Sequence, residues 1–147
     1  MNRLATYAWA LGILVLAACA SAPRGADRGV QAARLEGTSW RLVQISMGDG
    51  ATRVPVERSH YTIGFGAGGV LNVRFDCNRG RGSWKSTGPN NLEFGPLSLT
   101  RALCPVGSLH DELVRQWPQV RAYVVRDGRL FLSLMADGGV VEFEPAP

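Results

Sequence analysis

The groups in this 147-residue chain that could do chemistry are three cysteines, two histidines and a scatter of carboxylates. Cys19, Cys77 and Cys104 could bridge, bind a metal or supply a nucleophile. A structural zinc site needs four ligands, and two thiols without nearby imidazole do not provide them. His60 and His110 have no His-x-x-His or Cys-x-x-Cys company. Asp76 beside Cys77 would matter only to a free, reactive thiol. His110-Asp111-Glu112 brings an imidazole and two carboxylates to one turn of a helix, where charges are ordinarily solvated. None of these supplies a nucleophile, a base and an oxyanion donor together. The chain is therefore expected to be non-enzymatic, with no cofactor and no metal. Gly64-Phe65-Gly66-Ala67-Gly68-Gly69 satisfies G-x-G-x-x-G, but a dinucleotide site needs that loop to open a helix. Here it runs into Val70-Leu71-Asn72-Val73, which reads as strand, so the segment is a hairpin turn.

Cys19 has a different context. Residues 1–18 carry Arg3, an apolar run Ala8–Leu16 and the small pair Ala17-Ala18, the three parts of an export signal. The run is too short to span a bilayer as a helix, which takes about 20 residues. Leu16-Ala17-Ala18-Cys19 resembles a bacterial lipobox, which implies a diacylglyceryl group on the Cys19 thiol and acylation of the new amino terminus. Two or more buried chains anchor a protein stably where one does not. The partner expected through Cys19 is thus a membrane. In Gram-negative lipoproteins an Asp after the Cys favours the inner membrane, so Ala20 points to the outer one, with the domain facing the periplasm. Residues 19–34, small and polar with no aromatic side chain, read as a tether.

Export places Cys77 and Cys104 in an oxidising compartment, where two cysteines ordinarily pair. Closing a loop of about 28 residues restricts the unfolded chain by roughly 3–4 kcal/mol on the loop-entropy account. The expectation is a Cys77–Cys104 disulfide.

The formal charge of +4 invites a nucleic-acid reading. Arg3 contributes +1, and Arg24, Arg28 and Arg34 against Asp27 contribute +2. From Leu35 onward 12 basic and 11 acidic residues leave only +1. A duplex-binding domain carries its positive charge clustered on the folded part, so no nucleic-acid partner is expected. Arg79-Gly80-Arg81-Gly82 has the composition of a basic RNA-binding scrap. As a single copy it reads as a turn after Cys77 with two solvated arginines.

The elements that must position these groups are mostly strands punctuated by Gly, Pro, Asn and Asp. Trp40–Ile45 alternates, with Trp40, Leu42 and Gln44 on one face. Tyr61–Phe65 and Val70–Phe75 form a hairpin. Ser83–Lys85, Leu92–Phe94 and Leu97–Thr100 are short strands. Val120–Val125 and Leu130–Leu134 flank the strong hairpin turn Asp127-Gly128, and Val140–Phe143 closes the series. One helix interrupts, capped by Ser108 with Asp111 as its capping-box partner. Leu109, Leu113, Val114 and Trp117 share a face, and Pro118 ends it. The expected fold is mainly β (α+β), a curled antiparallel sheet or partial barrel of eight or nine short strands with one amphipathic helix packed on it. Trp40, Trp84, Trp117, Phe65, Phe75, Phe94, Tyr123, Phe131 and Phe143 are expected in the core. Trp84, Trp117 and Tyr123 are the candidates to line an apolar cleft between sheet and helix.

Residues 35–147 resemble the META/HslJ domain family. The landmarks are Leu35-Glu36-Gly37-Thr38-Ser39-Trp40-Arg41-Leu42, then Cys77-Asn78-Arg79 with Gly82 and Trp84. Leu92-Glu93-Phe94-Gly95-Pro96-Leu97 and Thr100-Arg101-Ala102-Leu103-Cys104-Pro105 follow. Glu112, Val120, Tyr123, Asp127-Gly128, Leu130 and Leu132 complete the series. Asp76 departs from the Gly usual before Cys-Asn, and Ala102-Leu103 from the usual Met-Ala. The resemblance implies a small antiparallel β fold with one helix, often secreted or lipid-anchored. It carries links to heat-shock induction, novobiocin resistance and, in some parasites, virulence and motility, but no catalytic residues. The fold is also similar to secretin-pilot lipoproteins, which bind a peptide or lipid in a cleft. The expected function is a non-enzymatic envelope lipoprotein with a role in stress tolerance or envelope integrity, binding a protein partner or an apolar ligand. A pilot-type chaperone using the cleft is the alternative. A hydrolytic enzyme would need Asp76, His110 and Glu112 to gather in one groove.

Overall fold

The computed structural model describes residues 35–147. The expected leader (1–18) and the tether with Cys19 (19–34) lie outside the described residues. The chain forms β1 (Thr38–Met47), β2 (Thr52–Arg53), β3 (Tyr61–Phe65), β4 (Val70–Phe75), β5 (Asn78–Lys85), β6 (Glu93–Phe94) and β7 (Ser98–Leu99). A helix α1 (His110–Gln116) follows, then β8 (Val120–Arg126), β9 (Arg129–Leu134) and β10 (Gly139–Pro145). The strands pair antiparallel in the order β6-β5-β4-β3-β1-β10-β9-β8, with β2 alongside β1 and β7 alongside β5. The two ends of this path nearly meet. Leu92 donates its N–H to the Arg121 carbonyl at 3.0 Å, and Tyr123 donates to the Asn90 carbonyl at 2.8 Å. The segment before β6 thereby satisfies backbone groups that β8 would otherwise present as an open edge.

Local chemistry sets the turns. Asp127 and Gly128 both adopt positive φ, 52° and 73°, the geometry of the tight turn that matches strand twist. The glycine run ends as expected in a hairpin turn, with Gly68 and Gly69 at φ 65° and 77° and the Gly66 N–H bonded to the Val70 carbonyl.

Strict alternation fails in β1. Trp40 stands opposite Pro145 and Leu42 opposite Phe143, but the register then slips, and Gln44 pairs with Glu142 and Ile45 with Val141. Val43 is the extra residue of a β-bulge. The bulge turns Gln44 outward, where its amide donates to Glu142 at 2.9 Å, and puts Ile45 inside. Val43 is buried as well. The segment Arg79–Gly82 is not a turn but the middle of β5, a strand that begins directly after Cys77.

The helix is as expected in place but not in its cap or its whole face. Ser108 Oγ accepts the His110 N–H at 3.2 Å, while the Asp111 side chain stays 88 % exposed and does not reach back. Leu109, Leu113 and Trp117 are buried, whereas Val114 points outward, one step off that stripe. Pro118 opens a 3-10 turn, Trp117–Gln119, that leads into β8. Phe131 also departs from expectation. It lies on the outer side of β9, half-buried, with the Arg126 guanidinium 5.1 Å from its ring centroid.

The core runs from Leu35 to Phe143 and lies on the inner face of the strands, where Leu71, Val73 and Phe75, like Leu130, Leu132 and Leu134, alternate with more exposed neighbours. Trp117 plugs it: its ring stacks on Phe94 at 4.0 Å between centroids and meets Phe75 edge-on at 5.3 Å. Phe65 continues the aromatic chain, 6.2 Å from Phe94 and 5.3 Å from Trp84. Removing the plug should be costly. Trp117→Ala is expected to destabilise by about 3–5 kcal/mol in urea denaturation, whereas Val114→Ala should stay within about 0.5 kcal/mol. Equal effects would contradict this packing.

Candidate functional site

At one end of the barrel β4 turns into β5. Phe75 pairs with Asn78, which leaves Asp76 and Cys77 as a two-residue turn. Asp76 has φ 58°, a left-handed conformation that Gly adopts freely and Asp more readily than most residues. The departure from Gly at this position therefore keeps the backbone and adds a carboxylate. That carboxylate sits low among donors. His60 Nδ1 lies 3.3 Å from Asp76 Oδ1, and the Ser108 and Tyr61 hydroxyls bond to the same group. Tyr61 in turn accepts the Leu109 N–H at 3.0 Å, so the cluster ties β3 and the β4–β5 turn to the start of α1. Burial alone would raise the Asp76 pKa, but the bonds from Ser108, His60 and Tyr61 outweigh it and hold the carboxyl below its usual range.

Beyond the turn, Cys77 is bonded to Cys104, with 5.4 Å between their Cα atoms. Asn78 lies beneath this bridge, completely buried. Its Oδ1 accepts the Ala102 N–H at 2.8 Å and the Thr100 hydroxyl at 2.9 Å, and its Nδ2 donates to the Ala102 carbonyl at 3.0 Å. Thr100 also exchanges bonds with Arg79: its N–H donates to the Arg79 carbonyl at 2.9 Å, and its hydroxyl accepts the Arg79 N–H at 3.0 Å. Farther along, Gly80 permits a close crossing. A Cβ there would stand 2.3 Å from the Ser98 carbonyl oxygen, so only glycine lets β7 lie against β5. This is why a strand carries a sequence that looks like a turn.

The clamped segment lines a groove of about 820 Å³ that runs from Leu97 to Ser108 and reaches His110, Asp111 and Val114 of α1. Leu103 and Val106 project from it fully exposed, one on each side of Cys104. The turn at Val106 is closed by a bond from the Ser108 N–H to the Pro105 carbonyl, with Gly107 at φ 87°.

The residues singled out from sequence do not share one site. Trp117 and Tyr123 are in the packed interior, and Trp84 is half-buried at a shallow hollow formed with Gly68, Gly69, Glu93 and Phe94. The junction of α1 with β8, β9 and β10 holds a void of about 10 Å³ lined mainly by Leu113, Trp117, Val120, Leu132, Val141 and Phe143. That is no more room than one water needs, in apolar surroundings. His110 borders the groove, whereas Asp76 and Glu112 are not among its lining residues. Glu112 instead accepts from Arg115 at 2.6 Å and from Gln116 at 2.9 Å. No group of three or more His, Cys, Asp or Glu among the described residues is arranged to hold a metal. Sequence reasoning passed over Asn78, whose signal was an amide directly after a half-cystine. It also passed over Leu103 and Val106, which follow no periodicity.

A nearly closed barrel, with one helix as its plug and a disulfide over the β4–β5 turn, defines a small antiparallel β domain. Residues 33–147 match the META domain family, and the chain belongs to it. No curated protein sequence matches it. Among solved structures, a protein from Burkholderia xenovorans determined by NMR is similar with TM-score 0.66 at 22 % identity, over 76 % of this chain and 83 % of that one. A DUF4847 family protein from Bacteroides vulgatus gives TM-score 0.55 at 12 % identity, over 75 % of this chain and 93 % of the other. At such identities the likeness is one of fold.

The Asp76 cluster makes a pH prediction. A carboxyl whose folded pKa is depressed contributes stability above its unfolded value of about 3.9 and loses it as pH falls through the folded value. Asp76→Asn keeps a residue that tolerates left-handed φ, and should be roughly 1 kcal/mol less stable than the parent at pH 7. Its melting temperature should fall less steeply than the parent's below about pH 4. Parallel pH profiles would show that the cluster does not stabilise the ionised form.

Proposed function

We propose that this chain is an envelope lipoprotein, anchored through acylated Cys19, whose META domain serves stress tolerance or envelope integrity by binding rather than by catalysis. The observation that carries the binding role is the groove beside the disulfide. Two apolar side chains, Leu103 and Val106, stand fully in solvent on a segment that a covalent bridge and a buried asparagine hold in place. Exposed apolar groups cost a protein solubility, and fixing them in one conformation prepares them to meet a partner with little further loss of entropy. The filled junction between α1 and the sheet favours this outer surface over an internal cleft as the place of contact. Of the three groups that a hydrolytic site would bring together, Asp76 and Glu112 are each engaged in separate local hydrogen bonds.

The anchor has a direct test. Cells expressing the protein should incorporate radiolabelled palmitate into it, and the protein should sediment with membranes. Cys19→Ser should abolish both the label and the lipid-dependent sedimentation. Undiminished labelling in Cys19→Ser would refute the anchor at this residue.

A further inference from the structure

Beside the groove the charges are unevenly distributed. The 12 basic residues from Leu35 onward nearly balance the 11 acidic ones, yet the pairing is local. Arg41 and Arg58 share Glu144, Arg129 bonds Glu142, Lys85 bonds Glu93, and Arg115 bonds Glu112. Arg53 and Arg121 apart, the arginines without a carboxylate partner among the described residues are Arg74, Arg79, Arg81 and Arg101. The first three project from the outer face of β4 and β5, and Arg74 stands directly opposite Arg79 in the register. Like charges placed opposite one another weaken a sheet. Arg74 bonds only the Asp76 carbonyl, at 3.1 Å, and Arg81 only the Asn72 side chain, at 3.0 Å, so both are steadied without being neutralised.

These arginines adjoin the apolar projections. A shallow hollow holding Arg79 and Arg81 is lined also by Ser98, Leu99 and Thr100. The same three residues line the groove from which Arg101, Leu103 and Val106 rise. One continuous surface therefore presents four guanidinium groups without a carboxylate partner, against the single exposed carboxylate of Asp111 on the same groove, next to two separate apolar side chains held close to Cys104.

We propose that this surface docks on an anionic bilayer: Leu103 and Val106 enter the boundary between headgroups and acyl chains, and Arg74, Arg79, Arg81 and Arg101 hold headgroup phosphates. Guanidinium groups match phosphate oxygens in geometry and charge, and basic residues near an anionic leaflet draw the protein to it. Single apolar side chains on a loop tip suit insertion between lipids, whereas a protein interface calls for a broad contiguous patch. The proposal deepens the anchored reading by giving the domain an orientation. The 16 residues from Cys19 to Leu35 reach at most about 53–58 Å when extended. β1, ten residues long, spans about 33 Å. The loop lies at the opposite end of the barrel from the start of β1, and the connection is long enough to let that end face the membrane.

The test uses the chain from residue 19 onward carrying Cys19→Ser, so that no acyl group contributes, with vesicles of phosphatidylcholine alone or mixed with phosphatidylglycerol. Cosedimentation with the mixed vesicles should exceed that with neutral ones by about tenfold or more and should fall as salt is added. Arg79→Glu with Arg81→Glu, and separately Leu103→Asp with Val106→Asp, should each reduce it at least about fivefold. All four positions are exposed, and circular dichroism should show both variants folded. Equal partition to the two vesicle types, or anionic binding unchanged in both variants, would overturn the proposal. So would a photo-crosslinker at Val106 that captures a protein in the intact envelope while the vesicles stay unbound. Because the protein tested carries no acyl group, the assay is independent of the anchor. Vesicle binding without palmitate labelling of the parent would leave this surface standing and remove the anchor, and the reverse result would do the opposite.

Discussion

Asn78 is the one polar side chain among the described residues that is both buried and completely withdrawn from solvent. An amide in that position is stable only if its donors and acceptors are met, because each buried polar group left unpaired costs the full price of desolvation. Here they are met by one short stretch of chain, Thr100 to Ala102, with the sulfurs of Cys77 and Cys104 nearby. The constraint works in both directions. The segment has no regular ladder of its own beyond β7, so Asn78 supplies the bonds that a strand partner would have supplied. Asn78 in turn can be buried only because that segment folds back over it.

Around this clamp the barrel acts as a frame. Its closure depends on a few backbone bonds between residues 90–92 and β8, and its interior on the plug that Trp117 drives against Phe94 and Phe75. Both devices deal with the same problem, which is that a small sheet must hide its edges and fill its middle with little material. The disulfide and the Asn78 bonds then hold the one long irregular connection against the frame. The surface carrying Leu103, Val106 and the unpaired arginines is thus built on fixed supports, although it consists of loop and strand edge.

Much of this was legible in the sequence. The hairpins at Gly66–Gly69 and Asp127-Gly128, the helix ending at Pro118 and the Cys77–Cys104 pair all follow from turn chemistry, periodicity and cysteine number. The failures share a cause. Alternation along Trp40–Ile45 puts Gln44 on the face of Trp40 and Leu42, because it does not announce the bulge at Val43. Arg79–Gly82 looked like a turn because glycine usually means one. Its glycines instead admit a neighbouring strand that is distant in sequence. The spacing pairs Ser108 with Asp111 in a capping box, but Asp111 stays in solvent, and the Ser108 hydroxyl, besides accepting the His110 N–H, bonds Asp76 from another part of the chain. In each case a long-range contact overrode a sound local rule, and no single-sequence pattern encodes such contacts. The candidate site suffered most, since Asn78, Leu103 and Val106 acquire meaning only once Thr100–Ala102 is placed over β5.

Asn78 and the disulfide, not the barrel's own ladders, hold the 100–106 segment in place. Native-state hydrogen exchange on the parent and on Asn78→Ala measures this directly. In the parent the Ala102 amide should exchange about as slowly as amides of β1 and β10. In Asn78→Ala its protection should collapse while the β1 and β10 amides remain slow relative to it. An Ala102 amide that exchanges freely in the parent, or that keeps its protection without Asn78, would show that the segment is held by something else.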